Sequence, residues 1–151
     1  MTKIDKVLFT GKTHTTASNA DSNFSAHEGT LNLTLTAPGN TSAPEYSFAA
    51  VQPHPTAEQL FAGAWSACYS AAVGIVAKEK KVTLPANSAV DIEVDLGMTG
   101  REYFLQARIN LRVPGIDHAV ALEIAHAADQ ICPYSKATRG NIDVAVNVVT
   151  A

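Results

Sequence analysis

The sequence predicts a single α+β domain in which helices pack against mostly antiparallel strands. Three observations indicate this class: a pair of clearly alternating strands, an uncharged helical stretch from Leu60 to Ala77, and a second amphipathic helix. With 151 residues, of which 46% are apolar and 17% charged, the chain is long enough to bury a core. We therefore expect one domain over residues 1–151.

The strands are predicted from alternation of apolar and polar residues. Lys3 to Thr10 alternates weakly and stops at Gly11, which suits a short strand. His14 to His27 is polar and is typical of a loop or ragged hairpin. Residues 31–35 (LNLTL) alternate cleanly, and residues 46–51 are a candidate short strand.

The second half of the chain gives the clearest strand predictions. Ala89 to Met98 and Phe104 to Val113 alternate on either side of a turn at Gly97 to Arg101, which predicts an antiparallel hairpin. A last strand is predicted over Ile142 to Val149.

Two helices complete the predicted fold. The first begins at Pro55 or Thr56, carries Glu58 in its first turn, and is closed by lysines 78, 80 and 81. It meets the lower length limit for a membrane span, but over half of its uncharged stretch is Ala, Gly or Ser, so we favour a buried helix. The second helix is capped by Asp117, runs to Gln130 or Ile131 and is ended by Pro133. Its predicted apolar stripe is Ala121, Ile124, Ala125, Ala128, Ile131 and Cys132.

Charge and the N-terminal sequence limit the classes of function. The net charge is −3, and no basic run is longer than Lys80-Lys81, so nucleic acid is not an expected partner. The N-terminal sequence MTKIDKVLFTGKT lacks the apolar segment of a signal peptide, so we expect a cytoplasmic protein. In that compartment a pair of cysteines is more often reduced, catalytic or redox-sensing than cross-linked.

The only two cysteines, Cys68 and Cys132, are 64 residues apart, which fits no zinc pattern, and the five histidines add no paired ligands. We therefore expect no metal site. Residue chemistry alone leaves three interpretations open: inert packing, a structural disulfide, or one attacking and one resolving thiol. A thiol on an apolar helix has a raised pKa unless a cation, a hydrogen-bond donor or a helix N-terminus stabilises the thiolate.

Two long motifs give these thiols a context. They are AEQLFAGAWSACYSAAV at 57–73 and CPYSKATRGNIDV at 132–144. In both motifs and in their separation the sequence resembles the organic hydroperoxide resistance proteins, within the osmotically inducible protein C superfamily. The resemblance implies that Cys68 is the peroxidatic cysteine and that Cys132 resolves it as an intramolecular disulfide. It also implies that Glu58 matches a carboxylate that pairs with an activating arginine.

The same resemblance implies a fold and partners. The fold is an osmotically inducible protein C-like intertwined homodimer, with antiparallel sheets around two long buried helices and active sites at the subunit interface. The implied substrates are organic and fatty-acid hydroperoxides, and the implied reductant is a dihydrolipoyl protein or another dithiol. No metal, haem or flavin cofactor is implied.

Helix geometry bears on Glu58 independently, because ten residues of helix span about 15 Å. If the first helix already includes Glu58, this side chain cannot touch Cys68 of its own chain. A later helix start, a folded-back loop or a second subunit would each solve this.

One family feature is missing. The activating arginine of the family aligns near Ala20, and no arginine precedes Arg101. A nearby guanidinium can lower a thiol pKa by a few units, so the absence of this arginine is expected to leave the pKa of Cys68 substantially higher. The absence motivates an alternative function, a non-peroxidatic member of the fold that binds an apolar ligand or senses redox state. Candidate substitute cations are Lys12, His14, His27 and His54.

Two aromatic residues flank Cys68 on the first helix. Trp65 and Tyr69 are most simply core residues, with the wall of an apolar substrate channel as the alternative. His118 and His126 are expected to be exposed helix residues, and Asp91, Glu93 and Asp95 to form the polar face of a strand.

Overall fold

The computed structural model describes residues 4–16 and 56–151, with Phe9 described by its backbone alone. The elements of this part of the chain, in order, are β1 (Lys6–Thr16), α1 (Ala57–Glu79), β2 (Ala89–Thr99), β3 (Glu102–Arg112), α2 (His118–Ile131), α3 (Pro133–Thr138) and β4 (Asp143–Val149). The strands predicted over 31–35 and 46–51, and most of the loop predicted to end at His27, lie outside the described residues.

The strands form one mixed sheet in the order β1-β2-β3-β4. The β1–β2 and β2–β3 pairs are antiparallel, whereas β3 and β4 are parallel. The predicted hairpin is confirmed: Ala89 pairs with Arg112, Thr99 pairs with Glu102, and Gly100 makes the turn with a φ of 60°. The sheet is therefore mostly antiparallel, as predicted, and α2 and α3 form the connection between the two parallel strands.

The prediction that the first strand stops at Gly11 is wrong, because β1 continues through it to Thr16. Gly11 lies where the first turn of α1 crosses the strand. A Cβ atom at this position would lie 2.6 Å from Cβ of Glu58 and 2.7 Å from the backbone nitrogen of Gln59. The glycine therefore allows close approach of the helix rather than ending the strand.

Helix α1 starts after Thr56, one of the two predicted positions, and a capping box that the sequence analysis did not predict fixes this start. The Thr56 hydroxyl accepts a hydrogen bond from the Gln59 backbone N–H at 3.2 Å, and the Thr56 N–H donates to Oε1 of Gln59 at 3.0 Å. One face of the helix is buried in the core, through residues that include Ala62, Trp65, Tyr69, Val73 and Val76. The opposite face is exposed, and includes Ala64, Ala67, Ala71 and Ile75.

The expectation of a fully buried first helix is therefore not met by a single chain. Within the described residues, α1 is the one helix long and apolar enough to cross a membrane, by length and composition only. Core helices meet the same criterion, and α1 has its buried face on the sheet.

The second helix agrees with its prediction except at its end. Asp117 caps it by accepting hydrogen bonds from the N–H groups of Ala119 and Val120. Ile131 is 40% exposed, contrary to the prediction that it belongs to the buried stripe. Cys132, four residues after Ala128 and also part of the predicted stripe, is fully buried.

Pro133 ends α2, as predicted, but it also begins a further helix that the sequence did not indicate. It occupies the first turn of α3, where the missing proline N–H costs no hydrogen bond. Cys132 is thus both the C-cap of α2 and the N-cap of α3.

The sheet face opposite α1 carries a set of ion pairs. Asp95 is only 2% exposed and accepts hydrogen bonds from both terminal nitrogens of Arg108, at 2.7 and 2.9 Å, from Gln106 at 2.7 Å and from the Thr10 hydroxyl. Burial alone would raise the pKa of Asp95, but these donors outweigh it and lower the pKa to about 2. The acidic residues of β2 are thus partners of specific cations as well as a polar face.

We expect Arg108→Met to lower the free energy of unfolding by about 2–3 kcal/mol at pH 7, because a buried carboxylate loses its counter-charge. The pKa of Asp95 is lowered, so its contribution is present above its ordinary value of about 3.9 and is lost as pH falls through about 2. Urea unfolding followed by circular dichroism should show the gap between wild type and variant shrinking over that range.

The matched control is Arg112→Met, which removes a partner of Asp91 that is more exposed than Arg108 and should cost less than about 1 kcal/mol. Equal losses in the two variants, or a gap that does not change with pH, would contradict the role given to the Arg108–Asp95 pair.

Candidate active site

The fold brings the two cysteines together. Cys68 lies in the middle of α1 and is half-buried, and Cys132 lies at the α2–α3 junction and is fully buried. Both are free thiols, and their sulfur atoms are 3.5 Å apart. A disulfide requires about 2.05 Å between the sulfurs, so only a small approach separates this arrangement from a covalent bond.

Two buried hydrogen bonds lie on either side of the thiol pair. Nε1 of Trp65 donates to the Ser135 hydroxyl on α3 at 3.2 Å, and the Tyr69 hydroxyl donates to the Ala125 carbonyl on α2 at 2.6 Å. The prediction that both aromatics are core residues is confirmed, since both are fully buried. Their hydrogen bonds were not predicted, although both residues carry a donor that is usually paired when buried.

The surroundings favour the neutral form of Cys68. Burial raises the pKa of the Cys68 thiol, the neighbouring Cys132 raises it further, and a hydrogen bond from the Tyr134 backbone N–H offsets part of the rise. No cation of the described residues is among these causes. Burial, together with Asp129 and Cys132, also raises the pKa of the Tyr69 phenol, which therefore remains a donor at neutral pH.

The structure does not place Glu58 beside the thiols of its own chain. Glu58 is in the first turn of α1, ten residues and about 15 Å of helix from Cys68. Because the helix begins at Ala57, a later helix start does not bring the two together. The Glu58 side chain is nevertheless buried, at 7% exposure, and its Oε2 has no hydrogen-bond partner among the described residues.

Two of the substitute cations are engaged elsewhere. Lys12 pairs with Glu93 at 2.7 Å and His14 pairs with Asp91, both on the sheet face opposite α1. His27 and His54 lie outside the described residues. His118 and His126 are exposed, as predicted, and residues 4–16 and 56–151 contain no group of three or more His, Cys, Asp or Glu arranged to hold a metal ion.

Comparison with known proteins identifies the family of the chain. Residues 50–147 match the protein family described as OsmC-like protein. An organic hydroperoxide resistance protein of Xanthomonas axonopodis pv. citri is 38% identical over 91 residues, which are 60% of this chain and 64% of the relative. The match thus spans less than two thirds of that relative's length.

Solved structures show the same fold. The organic hydroperoxide resistance protein OhrB of Bacillus subtilis is 34% identical, with a TM-score of 0.59 over 65% of this chain and 73% of its own. An organic hydroperoxide resistance protein from Elizabethkingia anophelis is 26% identical, with a TM-score of 0.68 over 98% of this chain and 100% of its own. The α+β fold with a mixed sheet is therefore that of these proteins.

We expect a mild thiol oxidant such as diamide to close the Cys68–Cys132 disulfide within one chain, because the two sulfurs are already adjacent. Titration of free thiols should show both groups lost together, and non-reducing electrophoresis should show no covalent dimer. Cys132→Ser is the control that cannot close. Loss of a single thiol in the wild type, or a chain-to-chain disulfide, would contradict the pairing.

Proposed function

The chain belongs to the OsmC-like protein family, and from this we propose that it is a cysteine-based peroxidase that reduces organic and fatty-acid hydroperoxides. Its relatives are named organic hydroperoxide resistance proteins, which supports a hydroperoxide-related redox role. The observation that carries the mechanism is the pair of free thiols 3.5 Å apart, one half-buried and one fully buried.

The difference in exposure of the two thiols supports the roles that we propose for them. The Cys68 thiolate attacks one oxygen of the hydroperoxide, the O–O bond breaks, and the products are a Cys68 sulfenic acid and an alkoxide that takes a proton from water. The Cys132 sulfur then attacks the Cys68 sulfur, forming the disulfide and releasing water once the proton of Cys132 is counted. Two thiols and one hydroperoxide thus give a disulfide, an alcohol and water. Because Cys132 is fully buried, the hydroperoxide meets Cys68 first.

A dithiol restores the enzyme. Exchange with a dihydrolipoyl group on a partner protein, or with another dithiol, transfers the disulfide and returns both cysteines to the thiol state. Such a cycle fits a cytoplasmic protein, where dithiol reductants keep most thiols reduced.

We infer that the working unit is a homodimer in which one subunit completes the site of the other. Two observations support this: the exposed face of α1 is apolar, and the buried Glu58 has an oxygen without a partner in the described chain. A second subunit that covers α1 can bring its own Glu58 towards Cys68, over a distance that one helix cannot bridge. The single domain over residues 1–151 is then one half of the assembly.

The raised pKa of Cys68 favours a second candidate function. A thiol without a stabilising cation reacts slowly with peroxide, because the thiolate is the nucleophile. In that case the chain is a non-peroxidatic member of the fold, which binds an apolar ligand or senses redox state through the same thiol pair.

We expect cumene hydroperoxide, added in stoichiometric amounts, to remove both free thiols of the wild-type protein, whereas Cys68→Ser retains its remaining thiol. In Cys132→Ser, Cys68 should still attack the hydroperoxide. Its sulfenic acid should then accumulate and be trapped by dimedone, because the resolving sulfur is gone. Thiol titration and mass spectrometry measure both results.

The same samples separate the two candidate functions. The peroxidase proposal is wrong if Cys68→Ser loses its remaining thiol as fast as the wild type, or if the wild-type thiols survive the hydroperoxide. The second candidate is favoured if two results are found together. The pH dependence of iodoacetamide alkylation would give Cys68 a pKa above the ordinary thiol value of about 8.5, and the thiols would survive the hydroperoxide.

We expect Glu58→Gln to slow hydroperoxide-driven thiol loss, because in the proposed site Glu58 holds a substitute cation, His27 or His54, against Cys68. An unpaired carboxylate would instead raise the pKa of the thiol, and its removal would speed the reaction. If Glu58 acts across the interface, a Glu58→Gln chain paired with a Cys68→Ser chain assembles one site with both wild-type groups. A refolded mixture of the two variants should therefore contain thiols that react faster than those of either variant alone. A mixture no faster than its components would contradict a contribution from the second subunit.

A further inference from the structure

Two residues that hydrogen-bond to each other each lie three positions away from one of the cysteines. Trp65 precedes Cys68 by three residues on α1, and Ser135 follows Cys132 by three residues on α3. Residues three apart on a helix lie on the same side. The Trp65–Ser135 hydrogen bond and the sulfur pair are therefore neighbouring contacts between the same two helical turns, 3.2 Å and 3.5 Å long.

Helix α3 has six residues, and its cap, Cys132, makes no side-chain capping hydrogen bond. Its C-terminal end is tied to α2 by Arg139, which donates to the carbonyl and the carboxylate of Asp129 at 2.9 Å, and its first turn is tied to α1 by the Tyr134 N–H, which donates to the Cys68 sulfur. The preceding helix α2 is tied to α1 by the Tyr69–Ala125 hydrogen bond. The Trp65–Ser135 bond adds a hydrogen bond between a side chain of α1 and a side chain of α3, one turn beyond Cys132.

The bond is also shielded from water. Trp65 is fully buried and Ser135 is 2% exposed, so a lost partner on either side leaves a buried polar group unpaired. Such a contact has a strong preference for one geometry. It therefore fixes the position of Cys132 relative to Cys68 as well as adding stability.

We propose that Trp65 and Ser135 are positioning residues for the resolving step, holding Cys132 at the distance from which it closes on oxidised Cys68. The inference rests on the proposed peroxidase function. Reaction rates depend steeply on keeping reacting atoms about 3–3.5 Å apart. A loosened α3 therefore slows disulfide formation and leaves the Cys68 sulfenic acid open to further oxidation to the irreversible sulfinic acid.

The primary variant is Ser135→Ala, which removes one oxygen and little volume. With stoichiometric cumene hydroperoxide we expect an unchanged rate of Cys68 oxidation, disulfide closure slowed by about tenfold, and more dimedone-trapped sulfenic acid. Excess hydroperoxide should produce more sulfinic acid than in the wild type. Ser70→Ala is the matched control, since the hydroxyl of Ser70, on α1, has no hydrogen-bond partner among the described residues.

A purely structural role would give a different pattern. It would lower the melting temperature of Ser135→Ala without changing the partition between disulfide and sulfinic acid, and that result would overturn the proposal. Trp65→Phe provides the second variant, because it removes the same hydrogen bond from the donor side. Combining it with Ser135→Ala should slow closure no further than the slower single variant.

A second readout does not depend on peroxidase activity. Oxidised glutathione forms a mixed disulfide at Cys68, and Cys132 then displaces the glutathione. We expect this displacement to slow by a similar factor in Ser135→Ala and not in Ser70→Ala. If hydroperoxide leaves the thiols intact while this effect is present, the proposed function fails and the positioning role stands; unchanged displacement overturns the positioning role itself.

Discussion

The packing of α1 between the sheet and the α2–α3 junction is the constraint on which the rest of the structure depends. On one side Gly11 allows the first turn of the helix to approach β1 more closely than any side chain would permit. On the other side Trp65 and Tyr69 reach polar groups on α3 and α2. With both sides fixed, Cys68 has one position along the helix axis, and Cys132 at the junction is brought to it.

The fold separates its charges from its thiols. The cations of β1 and β3, including Lys12, Arg108 and Arg112, pair with the acidic residues of β2 on the sheet face opposite α1. The thiols lie on the other side of the sheet, in apolar surroundings that raise the pKa of Cys68. The described chain therefore supplies the proximity of the sulfurs, and activation of the thiolate has to come from groups beyond these contacts.

Local sequence rules predicted much of the fold. Asp117, the alternating strands of the hairpin and the Thr56 start of α1 were found because caps and periodicity act over a few residues. The path of β1 through Gly11 was missed because the reason for the glycine is a helix more than forty positions away in the sequence. Helix α3 was missed because Pro133 is read both as a helix end and as a helix start.

The site was predictable in the same uneven way. The motifs identified the two cysteines, and the structure brings them together, but no spacing rule connects Trp65 to Ser135, since their contact depends on the angle between two helices. The missing arginine was visible in the sequence, whereas the engagement of Lys12 and His14 by acidic residues of β2 required the strand register. A single sequence does not indicate which side chains of distant helices and strands contact each other.

Geometry and charge are controlled by different groups at this site. The donors that flank the sulfurs keep their protons throughout the range in which a thiol ionises, because an indole N–H does not titrate there and burial raises the pKa of the Tyr69 phenol. The two hydrogen bonds that flank the sulfurs are therefore insensitive to pH over that range. A cation that lowers the pKa of Cys68 can thus act without breaking them.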